Sequence, residues 1–183
     1  MRICLSGAQS TGKSTLLKLL DNKGIFSDYT FLSEVIRKLV STEKIHINRD
    51  YDHKSQMRIF EEHYLNILKY KNFISDRGAL DAFTYATWGF MQGKFSREEH
   101  NEHEQAFKTC IPYYDYTFFF PIEFVITKDS VRDVDEVLQK EIQDVFLHIL
   151  EDYHITYQTL SGTPEERKKQ FITFFNHLIR RKH

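Results

Sequence analysis

The sequence predicts a three-layer α/β fold, with helices on both faces of a parallel sheet. Short apolar runs alternate along the chain with longer segments whose apolar residues recur at helical spacing. Strands separated by helices pair in parallel and are covered on both faces, so that alternation points to a buried parallel sheet. The size agrees: 183 residues, 41% hydrophobic and 28% charged, suit one folded core and exclude wholesale disorder. Residues 1–183 are therefore read as a single domain.

The elements follow in order. Apolar runs at 2–6, 29–33, 73–75, 116–120 and 155–160 are the expected strands. Ile59, His63, Ile67 and Tyr70 form one helical stripe, with Leu65 and Leu68 nearby. Val137, Leu138, Ile142, Val145, Phe146, Ile149 and Leu150 form another, over residues 134–153. A last helix is expected over 164–181, opening with Pro164-Glu165-Glu166 behind Thr163. It closes on Arg180, Arg181 and Lys182, where basic side chains complement the helix dipole. The 16 Phe and 10 Tyr are read as core packing.

Composition also excludes several classes. The 25 Lys and Arg balance 26 Asp and Glu, a net charge of −1, which gives no whole-protein attraction to nucleic acid or anionic membrane. Cys4 and Cys110 have no CxxC or metal-ligand spacing, so neither a disulfide framework nor a zinc site is expected. The most apolar stretch, 117–124, is short and broken by Pro121, well below a membrane span. Gly7 to Lys13 interrupts the N-terminal apolar run before it reaches signal-peptide length. A soluble, cytoplasmic protein is the expectation. His100 and His103 lie three apart among glutamates, but Phe107 stands where an HExxH pattern needs its second histidine. They are read as part of a solvated helix face.

The most specific signal is Gly7-Ala8-Gln9-Ser10-Thr11-Gly12-Lys13-Ser14, a full match to GxxxxGK[ST] between an apolar strand and a helical run that begins at Thr15. Gly7 and Gly12 allow the backbone to wrap successive N–H groups around a phosphate, and the helix N-terminus adds a positive dipole end. Lys13 reaches the β- and γ-phosphates, and the Ser14 hydroxyl is a Mg²⁺ ligand. ATP and Mg²⁺ are the expected cofactors.

Phosphate loops serve motors, switches and kinases, and the third strand separates them. Asp76 ends that strand, where a carboxylate can hold the Mg²⁺ hydration shell. A motor ATPase places a water-activating glutamate next, whereas Arg77 follows here and suits an anionic substrate or a transferring phosphoryl group. A guanine-reading [NT]KxD element is not complete, since Thr127-Lys128-Asp129 has its aspartate one place early.

Asp76-Arg77-Gly78-Ala79-Leu80-Asp81 with Tyr85 resembles the Asp-Arg motif of small P-loop nucleoside and nucleotide kinases. The resemblance extends to the AAA-domain group that includes the nicotinamide riboside kinase part of bacterial NAD-synthesis proteins and phage-type deoxynucleotide kinases, and more distantly to thymidylate kinases. Ser33-Glu34-Val35-Ile36-Arg37 is similar to that group's Glu-x-x-Arg, and Arg132-Asp133 to its lid arginine. Leu160-Ser161-Gly162-Thr163-Pro164-Glu165-Glu166-Arg167 resembles the loop that packs around adenine, which implies adenine contacts at Gly162, Thr163 and Pro164. The resemblance implies a sheet of order 2-3-1-4-5 and a short mobile lid at about residues 127–136. Two departures stand out: Gly78 replaces the aromatic residue usual after Asp-Arg in thymidylate kinases, and the lid region offers only Arg132.

In-line transfer of the γ-phosphoryl group then assigns the residues. Lys13 and the amides of Ala8, Gln9, Ser10 and Thr11 hold the donor, Ser14 and Asp76 place Mg²⁺, and Arg132 closes over the γ-phosphate. Glu34 accepts the acceptor hydroxyl proton or fixes the sugar. Arg37 and Arg77 grip the acceptor, with Arg58 a further candidate. Asp81 caps or orients Arg77, and Tyr85 stacks on the base or belongs to the core. The expected function is an ATP-dependent phosphotransferase for a small nucleoside-type acceptor, leaning to a (deoxy)nucleoside monophosphate. A kinase acting on nucleic-acid ends or modified bases and an acceptor-independent regulatory ATPase stay open, as does a homodimer.

Overall fold

The computed structural model describes residues 1–20, 24–33, 35–47, 51–123 and 135–181. Its five strands are β1 (Arg2–Ser6), β2 (Thr30–Leu32), β3 (Phe73–Asp76), β4 (Tyr116–Phe119) and β5 (Tyr157–Thr159). Helices α1 (Lys13–Leu19), α2 (Val35–Glu43), α3 (His53–Lys69), α4 (Ala79–Met91), α5 (Arg97–Cys110), α6 (Glu136–Asp152) and α7 (Pro164–Arg181) alternate with them. The strands form one all-parallel sheet of order β2-β3-β1-β4-β5, the order that the resemblance implies. The outer strands β2 and β5 are three residues each, shorter than the apolar runs that predict them. Among the described residues each pairs on one side only, which leaves its outer edge without a ladder partner.

Side chains along a strand alternate between the sheet's faces, and the register turns that alternation into two separate cores. Ile3 pairs with Ile74, and Leu5 with Phe118. All four lie in one cluster with Leu16 and Leu17 of α1 and Phe171 and Phe175 of α7. Phe73 and Phe119 point the other way, into a second cluster with Phe60, Phe83, Phe107 and Phe146 from α3 to α6. The aromatic residues thus fill the two cores, and rings such as Phe83 and Phe107 stack with centroids 4.6 Å apart. Cys4 and Cys110 are buried and free, and burial pushes both thiols up.

Caps fix where the helices begin. Asp52 accepts from Ser55 N at 2.7 Å to start α3, and Ser96 and Glu99 form a reciprocal capping box that starts α5. Asp135 accepts from Leu138 N at 2.9 Å at the head of α6. Among the described residues, no helix is long and apolar enough to cross a membrane.

Because β1 sits at the centre beside β3, with Leu5 opposite Asp76, the loops after these two strands open side by side on one sheet edge. That edge is where ligands bind in open parallel sheets.

Candidate active site

The loop from Gly7 to Ser14 curls around its own lysine. Gly7 has φ 149°, and a Cβ there would stand 2.6 Å from the Phe120 carbonyl oxygen, so only glycine fits. Lys13 is buried, and its ammonium donates to Gly7 O at 2.9 Å, Ala8 O at 2.6 Å and Thr11 Oγ1 at 3.1 Å. Ser10 adopts φ 60°, and its Oγ is buried without a hydrogen-bond partner among the described residues. An orphaned buried donor on this loop suits a phosphate oxygen, so the loop fits the anion that its sequence predicts. Gly12 caps α1, and Thr15 is exposed in its first turn.

At the end of β3 the Ser14 hydroxyl donates to Asp76 Oδ2. One hydroxyl and one carboxylate oxygen in contact are a fitting donor pair for a hard divalent cation whose other positions go to water and phosphate. Arg77 follows with φ 80°, rare for a side-chain-bearing residue, and is held there by its N–H donating to Leu5 O at 3.0 Å. The strained turn throws the guanidinium over the Tyr85 ring, 5.4 Å from its centroid.

Asp81 proves to be a buried junction. Its Oδ2 accepts from Ser6 Oγ at 2.8 Å and Gly78 N at 3.1 Å, and its Oδ1 from Gly7 N at 3.4 Å and Arg77 at 3.5 Å. Burial pushes its carboxyl up, against the opposing pull of the Arg77 and Lys13 charges. One carboxylate therefore ties the start of the phosphate loop to the Asp-Arg turn. Gly78 has no room for a side chain, since a Cβ would meet Cys4 Sγ at 2.6 Å and Tyr114 Oη at 3.0 Å. That crowding is the physical reason for the missing aromatic residue.

Beyond Arg77 the two motifs are joined to residues that belong to neither. Tyr85 donates through its hydroxyl to Gln9 Oε1 at 2.8 Å, and Gln139 Nε2 of α6 donates to Gln9 O at 2.6 Å. Gln56 Nε2 holds Ala82 O at 2.6 Å, and Tyr51 Oη holds Tyr85 O at 2.6 Å. His63 lies buried on the inner stripe of α3, with no hydrogen-bond partner for Nε2 among the described residues. Burial, and then the neighbouring Arg77 charge, push its imidazole down to about 4, so it is neutral near pH 7.

Other expected positions are placed differently. Arg37 is half-buried on α2. Arg58 grips both oxygens of Glu43 at 2.8 Å each and pairs with Glu62 at 3.0 Å and Glu61 at 3.6 Å, tying the start of α3 to the end of α2. Glu34, Arg132 and most of the lid segment 127–136 lie outside the described residues. The reading of His100 and His103 as a solvated face is corrected. His103 is fully buried and shares a 3.0 Å hydrogen bond with His53, while His100 stacks on Phe83 and Phe90. α5 packs that face against α3 and α4, and an i,i+3 spacing alone cannot show which face of a helix is covered.

The terminal loop is braced on both sides. Gly162 N donates to Glu123 Oε2 at 2.7 Å, and Thr163 donates through N and Oγ1 to Glu166 Oε2 at 2.7 and 2.8 Å. Pro164 then opens α7, exposed. Glu123, Gln139, His63 and Arg167 were not legible as site residues. No motif contains them except Arg167, which closes the terminal loop.

Comparisons with known proteins bear on the family and the fold. The AAA domain family matches residues 2–167. The NadR protein solved in complex with NR superposes with a TM-score of 0.67 at 19% identity, over 87% of this chain and 45% of that one. The chain thus spans about half the length of the NadR protein. Deoxyadenosine kinase from M. mycoides, solved with the products dCMP and dCDP, gives 0.70 at 12% identity over 97% and 100% of the two chains. Thymidylate kinase from Candida albicans gives 0.62 at 15% identity over 96% and 90%. At these identities the likeness establishes a P-loop kinase-like fold. No curated protein matches the chain in sequence. Since the family match runs over nearly the whole length, the chain belongs to the AAA domain family.

Proposed function

We propose that the protein is an ATP-dependent phosphotransferase acting on a small nucleoside-type acceptor. The observation that carries this reading is the contact between Ser14 and Asp76 with Arg77 immediately beyond it. Phosphoryl transfer needs positioning and charge neutralisation more than covalent chemistry, and that trio supports both. Lys13 and the loop amides bind the donor phosphates, with Lys13 leaving its own loop carbonyls as they arrive. Ser14 and Asp76 would hold Mg²⁺, which when bound would offset the charge on the phosphates. Arg77, aimed by its left-handed turn and by Asp81, faces the acceptor over Tyr85. Asp81 works as a positioning residue.

Glu34 and Arg132 keep their proposed roles at the acceptor hydroxyl and the γ-phosphate. A monophosphate acceptor has no proton to lose near neutral pH, so Glu34 then only orients. Arg58, held by three carboxylates, is left out of the acceptor set. The preference for a monophosphate then rests on Arg37 and Arg77. The proteins of similar fold, named for deoxyadenosine and thymidylate, support an acceptor of this class.

The test is ADP release from Mg-ATP against nucleosides, nucleoside monophosphates, nicotinamide riboside and single-stranded DNA, with Lys13→Ala as the blank. Stimulation by one small acceptor, absent from the blank, is the expected result. Stimulation by DNA alone establishes a nucleic-acid kinase instead, and release indifferent to every acceptor establishes a regulatory ATPase. Within a working kinase, Arg132→Ala lowers turnover far more than it weakens ATP binding.

A further inference from the structure

An arginine from the last helix stands behind the phosphate loop without facing it. Arg167 is 1% exposed. Its Nη1 donates to the Thr11 carbonyl oxygen, its Nη2 donates to Glu123 Oε2 at 2.6 Å, and its guanidinium lies 5.3 Å from the Phe120 ring centroid. The same Glu123 oxygen accepts from Gly162 N at 2.7 Å. A cation on this scale is buried only where its charge is answered, and here Glu123 answers the charge while Thr11 O and Glu123 take Nη1 and Nη2.

The consequence follows from peptide geometry. Thr11 C=O and Gly12 N–H belong to one planar trans peptide and point in opposite directions. With the carbonyl directed at Arg167, the Gly12 N–H points away from that guanidinium. A charged donor on the carbonyl also polarises the unit and makes its N–H a stronger donor. Three other carbonyls of the loop also accept from side chains: Gly7 and Ala8 from Lys13, and Gln9 from the uncharged amide of Gln139. When phosphate draws Lys13 inward, Arg167 is a permanent cationic anchor that stays behind the loop.

We propose that Arg167 is a positioning residue for phosphate binding, setting the orientation and donor strength of the Thr11–Gly12 peptide, while Glu123 couples that anchor to the terminal loop. The inference rests on the nucleotide-binding part of the function proposed above. It assigns Arg167 no contact with substrate.

The test measures displacement of a fluorescent ADP analogue by inorganic tripolyphosphate and by ADP, with thermal unfolding followed in parallel. Arg167→Met is expected to weaken tripolyphosphate tenfold or more while still unfolding cooperatively, and Arg167→Lys to recover part of the loss by donating to Thr11 O. Glu123→Gln is expected to keep tripolyphosphate within twofold of wild type but to weaken ADP, whose base side meets the loosened Gly162 loop. Wild-type tripolyphosphate affinity in Arg167→Met overturns the proposal. So does an equal loss in Arg167→Met and Glu123→Gln, which would make the ion pair a brace for α7 alone. If Arg167→Met fails to fold, Arg167→Lys decides, and an unchanged affinity there with Glu123→Gln impaired also overturns it. A wild-type protein that binds neither probe sinks both readings. One that binds both probes but phosphorylates no acceptor sinks the kinase and leaves the Arg167 role standing.

Discussion

Ser14 and Asp76 stand 62 residues apart in the chain, yet the hydroxyl at the head of α1 donates to the carboxylate at the end of β3. Removing Asp76 as a charged oxygen donor should therefore damage turnover more than folding. Asp76→Asn is expected to lower kcat by about 10²-fold or more, since metal-supported charge stabilisation is worth several kcal/mol. Ser14→Ala should raise the Mg²⁺ concentration for half-maximal rate by about tenfold. A magnesium titration of ADP release checks both. An Asp76→Asn protein with wild-type rate removes the metal role from this pair.

Lys13 makes hydrogen bonds to Gly7, Ala8 and Thr11 within its own loop and must give some of them up to bind phosphate. A nucleotide at about 100 times its Kd stabilises the folded state by about 2.7 kcal/mol. For a chain of this size that raises Tm by roughly 5–10 °C. Wild type should show the shift with Mg-ADP in a thermal melt, and Lys13→Ala should show almost none.

Gly78 sits against Cys4 and Tyr114 with no space for a methyl group. Gly78→Ala should cost about 1–3 kcal/mol through overpacking. Adding Cys4→Ala removes the nearest clash, at 2.6 Å, and should recover part of the loss. Additive destabilisation of the double variant in urea unfolding would show that contact with Cys4 is not the cause.

His63 and His103 are buried, and burial pushes each imidazole down to about 4 from an ordinary 6.5. Arg77 adds to the effect at His63; His53 and His100 add to it at His103, against the weaker pull of Glu99. Both histidines bind a proton in the unfolded chain at a pH where the folded chain refuses it. Stability is therefore full above about pH 6.5 and falls as pH drops toward 4, with each histidine contributing up to about 1.4 kcal/mol per pH unit. Chemical denaturation between pH 7 and 4.5 should show this slope, and His63→Leu should lower it by up to one proton's worth. An unchanged slope assigns the acid sensitivity elsewhere.

Much of the fold was legible because its signals are local. The strand at 2–6 and the helix at 164–181 have the bounds that periodicity and capping predict. The phosphate loop was legible for a related reason: wrapping one anion in consecutive amides requires consecutive residues, so the motif is contiguous by necessity. Asp76-Arg77 was legible through its position at a strand end.

Contacts that join distant segments left no such trace. Arg167 meets Thr11 across 156 positions, and Asp81 reaches Ser6 across 75. The histidines of α5 turned inward against the solvated face that their glutamate neighbours implied, and Arg58 turned to the carboxylates of Glu43, Glu61 and Glu62. Local spacing selects the element and the loop, because hydrogen bonds within a turn or a helix depend on a few neighbouring residues. Which face of a helix is covered, and which buried charge answers which carbonyl, depends on how strands register and helices pack. Those choices are made by burial and desolvation across the whole molecule, after every local preference has been met.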